Sequence, residues 1–74
     1  MSLSKNDLLD FLAKQLVKPD LRETDNFREI GITAWDEGLI ALFIEQHFGI
    51  CIDEKAIQDH PVVSDFIDYV INCA

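Results

Sequence analysis

His47 and Cys51 stand four residues apart, the spacing that puts two metal ligands on one turn of a helix. Gly49 falls between them and predicts a helix end, so the shared face is lost. His60 and Cys73 are the further candidates, and we expect no metal site. Cys51 and Cys73 are too few for a disulfide framework and are expected as buried or half-buried structural thiols. His47 and His60 flank predicted loops and read as surface or capping residues. General acid–base catalysis needs groups that converge in a cleft, and acids strung along exposed helix faces of a small domain do not supply one. No catalytic residue is therefore nominated, and no enzyme is expected.

Composition narrows the remaining classes. The chain has 74 residues, 49% of them hydrophobic, which is ample for one modest core and one domain over residues 1–74. Fourteen acidic and 6 basic residues leave a formal net charge of −8. Nucleic-acid phosphate would repel such a surface. Partners with basic patches would be steered toward it, although acidity also serves plain solubility. The longest apolar run, Leu39 to Ile44, falls far short of the roughly 20 residues of a membrane span. The opening "MSLSKNDLLD" mixes charges among its apolar residues too early for a signal peptide. A cytoplasmic protein, without a membrane partner, is the expectation.

The elements that must position any site read as helices throughout. Ser4 and Asp7 form a helix-starting pair, and Leu8, Leu9, Phe11, Leu12, Leu16 and Val17 recur at helical spacing, which predicts a helix over 4–17 closed by "KPD". Residues 18–32, "KPDLRETDNFREIGI", form a long polar connection with three apolar anchors, Leu21, Phe27 and Ile30, spaced to wrap the domain. Thr33 caps a second helix running to about His47, with Asp36 and Glu37 in its first turn and Gly49 as its left-handed exit. Its middle, "LIALFI", is apolar almost all round, although a helix lying on a core needs only one stripe. The surplus implies a second contact surface. Asp53 is expected to cap a short third helix over 53–59 that ends at "HP", with Ile52 and Ile57 inward. A fourth helix over 62–72 buries Val63, Phe66, Ile67, Val70 and Ile71 and turns Asp65 and Asp68 outward.

Three stretches in this order resemble the acyl carrier protein family, including peptidyl and polyketide carrier domains. "FREIGITAW" (27–35) is similar to the family's Phe, acidic residues, Leu-Gly, then Asp-Ser-Leu. "EQHFGICIDEKAI" (45–57) is similar to its acidic–Phe-Gly-Ile–apolar–Asp-Glu segment, and "VVSDFIDYVINC" (62–73) to its last helix. The resemblance covers residues 7–73. It implies an all-α, acyl-carrier-like four-helix bundle with a short third helix and a long loop between helices 1 and 2. It further implies a carrier of thioester-bound acyl, aminoacyl or polyketide intermediates in fatty-acid-like or secondary-metabolite biosynthesis. In that family 4′-phosphopantetheine is esterified to the Ser of Asp-Ser-Leu. That Ser falls here on Ala34, with Thr33 in place of the Asp and Trp35 in place of the Leu. A methyl group cannot attack the pyrophosphate of coenzyme A, and Thr33, Ser64, Ser2 and Ser4 are not substitutes. Two explanations stay open: a carrier whose serine has been replaced, or a relative that kept the fold as an adaptor binding a partner or itself.

The resemblance also implies partners, namely a phosphopantetheinyl transferase and acyl-loading or acyl-processing enzymes with basic and apolar docking patches. Carried over by position, Asp36 and Glu45 match acidic recognition sites and Leu42 an exposed apolar one. Leu39 stands where many fatty-acid carriers have Glu, and Gln46 where a second acid is common. Docking is thus expected around Thr33, Trp35, Asp36, Leu39, Leu42 and Glu45. Each has a plainer role open to it: Asp36 in the cap, Glu45 as solvated surface, Trp35 over the core edge. Of Leu39 and Leu42, one is expected to be exposed. A monomer is the expected state, with self-association open.

Overall fold

The structure, a computed structural model, describes residues 4–73, so Ser2 lies outside it. Four helices follow in order: α1 (Lys5–Gln15), α2 (Ala34–Phe48), α3 (Ala56–Asp59) and α4 (Val63–Cys73). The described residues are all-α, with one isolated antiparallel bridge between Asn26 and Val62.

The first helix starts as its sequence predicts: the Ser4 hydroxyl accepts the Asp7 amide at 3.1 Å. It buries Leu8 and Leu12. It stops earlier than the predicted residue 17, because Val17 takes a left-handed backbone with φ 53°. The Val17 amide donates to the Lys14 carbonyl at 3.2 Å, and the Lys18 amide to the Ala13 carbonyl at 2.8 Å. This pair of bonds is a Schellman ending, which usually has Gly at the left-handed position. A valine there costs roughly 1–2 kcal/mol of backbone strain.

The connection from 18 to 32 is pinned as its anchors predict. Leu21 and Phe27 are buried and Ile30 half-buried. The Phe27 ring meets Phe66 edge-on, with centroids 5.5 Å apart. The connection also caps α4: the Val63 and Ser64 amides donate to the carbonyls of Asp25 and Glu23, both at 2.9 Å. Helix N-termini leave such amides orphaned, and here backbone carbonyls serve where a capping side chain is usual.

The third helix is shorter than the predicted 53–59. Asp53 opens the preceding turn instead of capping, its carboxylate accepting the Lys55 amide at 2.9 Å. Its carbonyl accepts the Ala56 amide at 2.9 Å, and four helical residues follow. Ile57 is buried and Ile52 half-buried.

α4 lies against both α1 and α3. It buries Val63, Phe66, Ile67 and Val70, and Asp65 and Asp68 face solvent. Lys5 reaches across from α1 to Asp68 at 3.0 Å. Ile40 and Ile44 of α2 join Leu8, Leu12, Phe66 and Val70 in one apolar cluster, and no polar side chain is buried among the described residues.

The thiols correct the sequence expectation. Cys51 and Cys73 are both exposed. Ile50 is buried immediately before Cys51, and Cys73 lies in the last turn of α4, three residues beyond Val70, its last buried side chain. Among the described residues no helix is long and apolar enough to cross a membrane.

Candidate functional site: the first turn of α2

Thr33 sets the geometry. Its extended backbone (φ −99°, ψ 169°) leads into α2, and its hydroxyl accepts the Asp36 amide at 3.3 Å. The Asp36 carboxylate returns two bonds, accepting the Thr33 amide at 2.9 Å and the Thr33 hydroxyl at 3.1 Å. This reciprocal cap closes the turn and puts negative charge at the positive end of the helix. Asp36 is half-buried and committed to the cap, so the plainer of its two expected roles is the one the geometry displays.

A strut holds the turn from behind. Gln58 of α3 donates to the Glu37 carboxylate at 2.8 Å, and Arg28 donates to the Gln58 carbonyl at 3.5 Å. The long connection, α3 and the start of α2 are thereby joined at one corner.

Ala34 is exposed at the first helical position. The 4′-phosphopantetheine arm implied by the resemblance needs a side-chain oxygen at this place. Ala34 has none, and the neighbouring Thr33 hydroxyl is engaged with Asp36 as both donor and acceptor. The residues present do not fit covalent attachment of the arm. Ser64 and Ser4 sit in the first turn of α4 and at the cap of α1, apart from this turn.

Trp35 is 74% exposed, so of the two roles open to it the place over the core edge is not the one it takes. The reason is rotational. At 100° per residue, Trp35 stands opposite Ile44 and well away from Ile40, the residues that face the core. The same face carries Leu39, half-buried, and Leu42, 45% exposed, so the expected division between those two leucines is present. Trp35, Leu39 and Leu42 follow the i, i+4, i+7 spacing and form one apolar stripe, which half-buried Phe43 widens. Glu45 is exposed on one flank and Asp36 lies on the other. Of the six expected docking residues, the structure gathers Trp35, Leu39 and Leu42 on one face; Thr33 and Asp36 are occupied in the cap, and Glu45 is set to the side. Phe43 is the member that position-by-position reading omits, although it belongs to the surplus apolar run "LIALFI".

The two histidines do not meet. His47 is exposed and stacks on Phe11, with ring centroids 5.3 Å apart, while Phe48 packs edge-on against both. His60 ends α3 and stacks on Tyr69 at 4.8 Å. A hydrogen bond to Cys73, together with burial, raises the Tyr69 phenol above its ordinary pKa of 10.0. Among the described residues no three His, Cys, Asp or Glu side chains converge as a metal ion requires. Cys51 lies beyond the left-handed Gly49 (φ 71°), off the helix that carries His47.

No family model, curated protein or solved structure matches the chain.

Proposed function

We propose that this chain is an acyl-carrier-type protein in a form that cannot be loaded, acting through protein docking at the N-terminal half of α2. One observation carries the reading: the position the resemblance assigns to the attachment serine is an exposed, capped first helical turn with a bare aromatic beside it. A cargo arm needs solvent, a rigid base, room for an enzyme to approach and an attachment oxygen, and Ala34 lacks only the last. Further support comes from the resemblance in three ordered stretches and from four helices with a long first connection and a short third member. The reading assigns no catalysis to the chain itself. Its partners are enzymes that load or process thioester-bound cargo, meeting an apolar stripe within an acidic surface.

The test is restoration of one atom. Ala34→Ser, incubated with coenzyme A and a phosphopantetheinyl transferase, is expected to gain the mass of one arm by intact-mass spectrometry. A folded Ala34→Ser protein that several transferases leave unmodified would remove the carrier reading.

The exposed stripe itself favours a second reading. Trp35, Leu39 and Leu42 extend two turns beyond the attachment position and would serve an adaptor that never carries an arm. That reading expects a partner retained by the Ala34 protein and lost on Trp35→Ala or Leu42→Asp.

A further inference from the structure

α1 carries a second feature that the folded monomer does not use. Val17 holds a left-handed backbone that strains a β-branched residue, and its side chain is 87% exposed. The left-handed turn closes α1, but a β-branched, exposed side chain in it adds strain that glycine or asparagine would avoid. Strained positions persist where something beyond local stability requires them.

Asp10, Ala13, Lys14 and Val17 follow the i, i+3, i+4, i+7 spacing and line one side of α1 and its exit. With Pro19 they border an open hollow of about 470 Å³. Charge selects what fits there. The chain as a whole is at −8, yet four of its six basic residues, Lys5, Lys14, Lys18 and Arg22, lie in α1 or just after it. This face is nearly neutral. Among the described residues neither Asp10 nor Lys14 belongs to an ion pair. One unpaired acid and one unpaired base, four residues apart around a small alanine, form a pattern that complements itself under two-fold rotation.

We propose that this face of α1 is a contact between two copies of the chain. Antiparallel packing centred between Ala13 and Lys14 sets each Val17 against the Asp10 end of the hollow on the other copy, about one turn from its Ala13. It also leaves each Lys14 about one turn from Asp10 of the other copy, within reach of its four-carbon stem. Ala13 lets the helices approach closely. A patch this small belongs at the low end of interface sizes, so the dimer is weak and transient. The net charge of −8 adds a general repulsion between copies that this nearly neutral face escapes. This contact is independent of the α2 face and of whether the chain carries cargo.

Sedimentation velocity across a concentration series tests it. The chain is expected to show a reversible monomer–dimer equilibrium. Val17→Asn suits the left-handed position better, so it is expected to raise the melting temperature while weakening the dimer. A substitution that merely damaged the fold would lower the melting temperature and weaken the dimer together. Lys14→Glu is expected to weaken the dimer on the order of tenfold, by losing two symmetric pairs and gaining repulsion. Asp10→Lys combined with Lys14→Glu is expected to restore it, because the exchanged charges still face each other. A strict monomer up to the solubility limit overturns the proposal. So does a dimer indifferent to Val17→Asn and Lys14→Glu, including one lost instead on Leu42→Asp.

Discussion

Single residues in this chain divide by whether their role is local. Thr33 and Gly49 are legible in the sequence because a capping hydroxyl and a left-handed exit are settled by neighbours three or four residues away, and both act as expected. Trp35, Cys51 and Cys73 are not, because exposure depends on what the rest of the chain places opposite them. Gly38 shows the same distinction in energetic form. It sits inside α2, where glycine costs about 1 kcal/mol against alanine, and a β-carbon added there would meet only the end of the Glu54 side chain at 3.7 Å. Gly38→Ala is therefore expected to stabilise the protein by about 0.5–1 kcal/mol in urea unfolding. If it also weakens partner binding, the glycine serves close approach on the flank of the α2 stripe.

Whole elements are better determined by sequence when they present a single apolar face. α4 is the clear case: of the five residues its spacing names, Val63, Phe66, Ile67 and Val70 are inside, while Ile71, near the helix end, is half-buried. α2 is the opposite case, since its apolar middle offers more than one face that could be turned inward. Its beginning is nevertheless well marked by the reciprocal Thr33–Asp36 cap. Thr33→Ala removes the hydroxyl that accepts the Asp36 amide and donates to the Asp36 carboxylate. The expected cost is about 1 kcal/mol, with Thr33→Ser restoring most of it, read from the urea midpoint. α1 and α3 are shorter than their sequences predict for related reasons. Val17 ends α1 in a left-handed residue before Pro19 is reached, and Asp53 spends its carboxylate on a turn rather than a cap. In both, a local hydrogen-bonded alternative competes with one more helical turn and wins.

At the scale of the molecule, a purely apolar core is enclosed by a surface with 14 acids and 6 bases. Few of these charges are paired: among the described residues the ion pairs are Lys5–Asp68 and Lys18–Asp20. Lys5 titrates above its ordinary value of 10.5, chiefly because it hydrogen-bonds Asp68 across the α1–α4 contact. Tyr69 is raised above 10.0, chiefly by its hydrogen bond to Cys73. Both shifts have the same sign. In each case the folded state holds the proton more tightly than the unfolded chain. The stability this contributes is complete below the unfolded pKa and is lost as pH rises through the folded one. Melting temperature is therefore expected to fall above about pH 10, and less steeply in a Lys5→Met, Tyr69→Phe protein followed by circular dichroism.

The sequence by itself determined the number and order of the helices, the capped first turn at Thr33, the left-handed exit at Gly49 and the buried face of α4. Short-range hydrogen bonding and helical periodicity decide those features within a few residues. Only the tertiary structure decided which side of α2 faces the core. That choice leaves Trp35 bare beside Ala34 and sets Leu39 and Leu42 in line with it. A helix apolar nearly all round has no preferred side until the rest of the chain supplies the buried cluster that Ile40 and Ile44 join, with Phe27 and Phe66 among its members.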